Sequence, residues 1–404
     1  MKKQQRISRP FFQLIFLLIT FMTALTRFRQ IQLRPSPYLL LILLALTSIG
    51  ILMIYSSSAI YAERYYGSPF YFIKRQLLAT LIGIIAIRLA ILFPYQHYKK
   101  FIPLLMVITI LVMILVLIPG IGVQVGNARR WIRFFSFSFQ PSELLKFTLI
   151  VWVASFLDRR KEVIGLFSRG LLPNFIVLGI FSYLLLLQPD FGTAVLICMT
   201  LLLMIFVAGA KPIYMMGSLG ALSTIGFFLV VSTDYRMRRI TGFLNPWDDP
   251  LDSGYQLIRS LTAIGTGGIT GRGLGDSRQK LFFLPESHTD FIFAILAEEA
   301  GFIGILIVLT LLVLLMLKGF DIALKSKDDF GRNLAFGITV LIFIQSVFHI
   351  GVVMGLLPTK GIPLPFISYG GSSLILNMFL VGVLINIANS RQQPKQYESR
   401  KKTY

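Results

Sequence analysis

Charge is scarce in this chain, and what there is leans one way. Of 404 residues 14% are charged, with 39 Lys and Arg against 18 Asp and Glu and a formal net charge of +21. A soluble domain carries roughly 25% charged residues, so a chain that is 55% hydrophobic cannot hide its apolar surface in water. Cysteine is nearly absent. Cys198 stands alone inside an apolar run, which excludes an intrachain disulfide and paired-thiol chemistry. The three histidines, His97, His288 and His349, are too scattered for a metal cage of the usual spacings. A phosphate-loop signature is missing too. The glycine-rich run from Gly265 to Gly275 has no strand-helix-strand context for a nucleotide fold, which leaves a backbone nest for phosphate or a plain flexible turn.

What the chain does have is long apolar blocks, each of about 17 to 25 residues and so able to cross a hydrocarbon core of about 30 Å. They fall at 38–58, 72–93, 101–119, 141–158, 171–187, 190–209, 213–232, 288–317, 332–356 and 365–388. The blocks are continuously apolar rather than alternating, which predicts helices and not barrel strands. The expected fold is therefore all-α, a polytopic bundle of about ten transmembrane helices. Its membrane domain runs over 38–390, between a basic cytoplasmic segment, 1–37, and a basic cytoplasmic tail, 391–404. Within the first segment the apolar stretch 11–25 is short for a span and reads as an interfacial helix. With the amino terminus inside, most Lys and Arg fall on the cytoplasmic side, so the net charge reflects the positive-inside bias and not nucleic-acid binding.

One connection is long. Residues 233–287 follow the seventh span, so they should lie outside and fold onto the outer ends of the bundle. This loop carries Arg236, Arg238, Arg239, Arg259, Arg272, Arg278 and Lys280, while Arg129, Arg130 and Arg133 follow the third span on the same face. So many cations on an outer face suit an anionic partner, a diphosphate for example, or a solvated surface facing anionic lipid. Where the loop meets the eighth span, Asp290 stands beside Glu286 and His288. A carboxylate at a membrane-water boundary can act as a base toward the hydroxyl of a lipid-borne substrate, and it can equally be a helix-start residue. The same ambiguity applies to Gln140-Pro141-Ser142-Glu143 and Gln188-Pro189-Asp190, whose Pro and acid positions suit helix N-termini. Inside the apolar runs, Glu143 and Lys146 are spaced to pair on one helical face, and Arg88, Glu298, Glu299 and His349 each need a partner or water.

On these segments the chain resembles the SEDS family of bacterial cell-wall proteins. The resemblance rests on Asn127 to Ile132, Gln140 to Leu144, Gln188 to Gly192, Leu284 to Ala294 and Pro363 to Ser372, five segments in order over roughly 35–390. The stretch Gly273 to Lys280 looks like that of the division-type and sporulation-type members more than the elongation type. It implies a peptidoglycan glycosyltransferase that polymerises lipid II, with Asp290 as base or as the anchor of a divalent metal, Mg or Mn. Arg130, Arg278 and Lys280 would hold the diphosphate. Arg75, Glu143, Lys146, Gln279, His288 and Ser368 complete the expected substrate contacts. A class B penicillin-binding protein and other divisome membrane proteins are the implied partners, and the inner membrane at the division septum is the implied location. His349 departs from the family, which often carries Asn before Ile-Gly there. Two rivals remain: a lipid II flippase, which would need a midplane site open to both faces, and a non-catalytic scaffold whose outer polar residues could be replaced freely.

Overall fold

The computed structural model describes residues 37–125, 128–134 and 137–390; the expected interfacial helix at 11–25, Asn127 and the tail 391–404 lie outside the described residues. Among the described residues twelve α-helices follow one another: α1 (Pro37–Tyr66), α2 (Tyr71–Leu92), α3 (Tyr98–Leu115), α4 (Pro141–Arg159), α5 (Leu172–Leu187), α6 (Phe191–Val207), α7 (Pro212–Val231), α8 (Asp234–Leu244), α9 (Tyr255–Gly267), α10 (Ile292–Leu324), α11 (Asp329–Val353) and α12 (Gly371–Ser390). Eight stretches among the described residues are long and apolar enough to cross a membrane. The other two expected crossings are α4, which carries Glu143, Lys146, Asp158 and Arg159, and α6, which is 17 residues long. The centre of the bundle is α11, 72% enclosed over its most apolar window, whereas α7 is 6% enclosed and presents almost all of its surface outward.

The connection between α3 and α4, which the apolar pattern does not resolve, is not a plain loop. It forms a three-stranded antiparallel sheet of β1 (Gly122–Val125), β2 (Ala128–Phe134) and β3 (Phe137–Phe139). Trp131 pairs with Val123, and Arg133 with Ser138. The segment is too short and too polar to span, and its backbone groups find partners by pairing across hairpins. The sheet is tied to the bundle through Ser372 at the start of α12, whose hydroxyl donates to Ser138 O at 2.8 Å and accepts from Gln140 N at 3.2 Å.

The long loop folds onto the end of the bundle as expected, in the form of α8 and α9. Helix α9 buries Leu257, Ser260, Ala263 and Gly267, and the Ser260 hydroxyl donates to Val353 O at 2.7 Å. The glycine-rich run that follows is neither a phosphate nest nor a free turn. Helix α10 breaks at Gly301 (φ 63°, ψ −162°), and a broken helix leaves amides and carbonyls that must be paired inside a membrane protein. The run supplies the partners. Arg272 N and Gly273 N donate to the carbonyls of Glu298 and Glu299 at 3.0 and 3.1 Å, while Phe302 N and Ile303 N donate to Gly268 O and Ile269 O at 2.9 and 3.2 Å. Only glycine fits at 271, where φ is +82° and a methyl group would come within 2.1 Å of Glu299 O.

Two spans begin later than the apolar pattern suggests, α10 at Ile292 and α12 at Gly371. In both cases the residues before them have left the helix to build the end of the bundle. Residues 285–291 form a tight turn, and residues 354–370 form an irregular strap with Phe366 buried at φ +67°.

Candidate active site

The turn 285–291 is organised around one carbonyl. Glu286 adopts a left-handed conformation, φ +52°, and its carbonyl accepts from the amides of Thr289, Asp290 and Phe291 at 3.1 to 3.2 Å. Asp290 is therefore not a helix cap but is held clear of α10, whose cap residue is Phe291. The strap grips the same turn from the other side. Tyr369 N donates to His288 O at 3.0 Å, the Ser368 hydroxyl donates to Thr289 O at 2.7 Å, and Leu364 N donates to that hydroxyl at 2.9 Å. Ser368 thus fixes the backbone beside Asp290. The His288 ring is buried against Phe72, with Tyr61 and Tyr369 also around it at ring distances of 4.4 to 5.8 Å. Burial pushes its imidazole below the usual range, and the nearby Glu286 works the other way. His288 is a wedge that seats the turn.

The strap in turn hangs from α11. Gln345 Nε2 donates to Pro363 O at 2.8 Å and His349 Nδ1 bonds Ile362 O at 2.9 Å. His349 thus makes a polar contact to the strap at the position where the family often carries Asn. Lys146 bonds Glu143 at 2.8 Å and Gln345 at 3.4 Å, all three buried. The expected pair exists, and it supports the strap through Gln345 from inside the bundle. An unpaired charge there would cost several kcal/mol.

Around Asp290 the charges are mostly positive. A methyl group on Gly361 would stand 2.9 Å from Asp290 Oδ2, so the half-buried carboxyl lies against the strap backbone. Burial, helped by the Glu286 carboxylate, pushes it up to about 6, and the guanidiniums of Arg239 and Arg130 pull the other way. Arg239 is held by Thr359 O at 3.0 Å; Arg130 is held by Gln188 O at 3.0 Å and by Pro189 O. Lys360, not singled out from the sequence, lies over the Phe191 ring at 4.4 Å. Burial and Arg239 bring its ammonium down to about 8, against the pull of Asp190. Its signal was weak, one lysine in an apolar stretch. Asp190 itself takes its expected structural role, capping α6 through Thr193 N at 3.3 Å.

On the other side of the turn lies a groove of about 240 Å³ whose walls include Arg75, Trp131, Arg133, Thr289 and Tyr369, with Leu78, Ala79 and Val123 as its apolar floor. Arg75, exposed, also lies over the Tyr71 ring at 4.4 Å. The remaining expected contacts sit elsewhere. Lys280 is buried in an ion pair with Glu299 at 3.0 Å and donates to the Ser56 hydroxyl at 3.1 Å. Glu298 accepts from Ser277 Oγ and from the amides of Arg278 and Gln279 at 2.5 to 3.3 Å. Gln279 is buried in this anchorage and the Arg278 side chain is exposed. Among the described residues no three His, Cys, Asp or Glu side chains gather to hold a metal ion, and a divalent ion at Asp290 would share its surroundings with Arg130 and Arg239. What the site can do is accept a proton at Asp290 and steady an anion beside it.

Residues 37–393 match the family described as "Cell cycle protein", which groups FtsW, RodA and SpoVE. The chain is 45% identical over 350 residues to the "Probable peptidoglycan glycosyltransferase FtsW" of Geobacter metallireducens, covering 87% of this chain and 93% of that protein. It is 46% identical over 358 residues to "Stage V sporulation protein E" of Bacillus subtilis, covering 88% and 98%. Among solved structures it is similar, at a TM-score of 0.74 and 27% identity over 90% of this chain and all of the other, to one described under "Structural coordination of polymerization and crosslinking by a peptidoglycan synthase complex". The rod shape determining protein RodA of Thermus thermophilus is similar at a TM-score of 0.67 and 25% identity, covering 90% and 99%. The match spans every helix of the bundle, the turn at Asp290 and the strap over it, and the chain belongs to the FtsW, RodA and SpoVE family of membrane-embedded cell cycle proteins.

Proposed function

We propose that the protein is a peptidoglycan glycosyltransferase that polymerises lipid II into glycan strands. One observation carries the reading: Asp290 stands at one end of the bundle, half-buried among cations held by backbone carbonyls, and in this reading it meets the headgroup of a membrane lipid there. The acceptor GlcNAc 4-hydroxyl attacks the donor MurNAc anomeric carbon, and the bond from that carbon to the diphosphate oxygen breaks with its electron pair. The configuration inverts, the hydroxyl proton passes to the Asp290 carboxylate, and undecaprenyl diphosphate leaves. A carboxyl near 6 is ionised at neutral pH, yet basic enough to take that proton. Fixed cations stabilise the charge gathering on the diphosphate.

In this reading the end of the bundle with the sheet, strap and long loop faces the outside of the cytoplasmic membrane. The partner is a class B penicillin-binding protein that crosslinks the strands at the division septum, alongside other divisome membrane proteins. The likeness at 45% and 46% identity to a protein named FtsW and to a stage V sporulation protein supports a role in division or sporulation over one in wall elongation. The test is reconstitution with the cognate transpeptidase and labelled lipid II: wild type makes polymer, and Asp290→Asn does not. Equal polymer from both would remove Asp290 from the reaction.

A further inference from the structure

The turn 286–290 and the strap residues 363–370 divide the end of the bundle in two. Thr289 and Tyr369 belong to the wall of the groove, whereas the Asp290 carboxyl faces Gly361 on the strap. The bonds from Ser368 to Thr289 O and from Tyr369 to His288 O hold the divider together. Strand β2 serves both sides, because side chains alternate along a strand. Trp131 and Arg133 line the groove, and Arg130 between Arg129 and Trp131 is bonded on the far side to Gln188 O and Pro189 O.

The two sides differ in how their cations are held. Arg130 and Arg239 are half-buried and bonded to backbone carbonyls, and Lys360 beside them rests on Phe191. Each carbonyl orients its cation without neutralising it, which leaves a fixed excess of positive charge. In the groove Arg75 and Arg133 are exposed, where solvent weakens any ion pair, and aromatic and apolar walls replace buried charge.

We propose that each side takes one lipid diphosphate: the donor's diphosphate lies among Arg130, Arg239 and Lys360, and the acceptor's lies in the groove at Arg75 and Arg133. This rests on the polymerase reading. The donor diphosphate is bonded to the reacting carbon, so it must sit within a bond or two of the atoms that Asp290 addresses. The acceptor's reacting hydroxyl is at the far end of its disaccharide, so its diphosphate lies two sugar rings away, beyond the divider. As the anomeric bond breaks, the donor diphosphate gains a negative charge and the acceptor diphosphate gains none. The preoriented cations belong where that charge develops.

Two analogues separate the sides. Lipid II lacking the GlcNAc 4-hydroxyl can act only as donor, and lipid II with the anomeric oxygen replaced by methylene can act only as acceptor. Together they give one tetrasaccharide per turnover, so a KM can be measured for each in the complex with its transpeptidase. Lys360→Met should lower kcat about 100-fold and raise the donor KM while leaving the acceptor KM unchanged, and Lys360→Arg should restore most of the loss. Arg133→Gln should raise the acceptor KM about fivefold, the effect of one exposed charge contact, with kcat and donor KM unchanged. The reverse pattern, or equal movement of both KM values in either variant, overturns the assignment. Arg133 is exposed, so its substitution spares the fold; if Lys360→Met does not assemble, an unmoved acceptor KM in Arg133→Gln alone overturns it. A wild-type complex that makes no tetrasaccharide sinks the polymerase reading itself.

Discussion

Two charged regions flank the start of α10, and they are built on opposite plans. In the anchorage, Glu298 accepts from one hydroxyl and two amides, while Glu299 is shared between Lys280 and Ser56. At the turn, Arg130 and Arg239 spend their bonds on carbonyls, and Asp290 is left without an ion pair in reach of a salt bridge among the described residues. The first region is closed, each charge answered by an opposite charge or a hydrogen bond within the chain. The second is open toward something the chain does not supply. Sequence position alone would not separate them, because Lys280 and Asp290 lie ten residues apart in the same loop.

The largest effect that this contrast predicts is on activity without stability. Asp290→Asn keeps size and polarity but cannot take a proton, so polymerisation should fall by about 10² to 10⁴, while thermal unfolding in detergent shifts little or upward because the amide removes the desolvation penalty that the ionised carboxylate carries there. A stability loss as large as the activity loss would make Asp290 a structural residue and erase the contrast.

Next comes stability without direct chemistry. Lys280→Met leaves Glu299 charged and buried, which should cost about 3 to 5 kcal/mol, read as a lower unfolding midpoint. The double change Lys280→Met with Glu299→Gln should recover most of it, since removing both members of a buried pair is often close to neutral. Recovery of folding together with activity would confirm the anchorage as scaffold. A double variant that folds but cannot polymerise would return Lys280 to the substrate contacts.

The pH profile tests the open region alone. Asp290 must be unprotonated to act as base, so kcat/KM should rise with pH through about 6. Lys360 must stay charged, so the same quantity should fall as pH passes about 8. One pH unit beyond either limb the loss is about tenfold. Lys360→Arg should flatten the alkaline limb and leave the acid limb in place. An alkaline limb that survives this change belongs to another group.

Much of this was legible in the sequence, for identifiable reasons. Continuous apolar runs have only one way to satisfy their backbone in lipid, so the helices of the bundle could be read off directly, eight of them among the described residues long and apolar enough to cross a membrane. Asp290 could be singled out as a candidate because an acid at the mouth of a span is costly unless it is used. The sheet was not legible, since its strands are short and stabilised by pairing across the hairpin and by Ser372 some 230 residues away in sequence, as the bonds to Gln140 and Ser138 show. Lys280 was misplaced for a related reason: its partner Glu299 lies across a turn, and only the fold shows that the charge is already answered. The glycine run misled most. Its glycines are demanded by the break at Gly301 in another element, and no local pattern announces a splice between two segments thirty residues apart.

The smallest predicted effect concerns how the open region is held in shape. His349 Nδ1 must carry its proton to donate to Ile362 O, and it lies one helical turn from Gln345, which holds the next carbonyl, Pro363 O. Asparagine at 349 keeps a donor on a shorter side chain, so His349→Asn should cost under about 1 kcal/mol, the net worth of one hydrogen bond. Leucine keeps bulk but leaves the Ile362 carbonyl buried without that partner, at a cost of about 1 to 3 kcal/mol. Because the strap carries Lys360 and Gly361 over Asp290, a slackened strap should lower kcat more in His349→Leu than in His349→Asn. The anchorage at Lys280 should be untouched in both, which amide exchange at Arg278 and Gln279 can follow. Faster exchange there in the leucine variant would mean that the two regions move as one body, and the division drawn between them would fail.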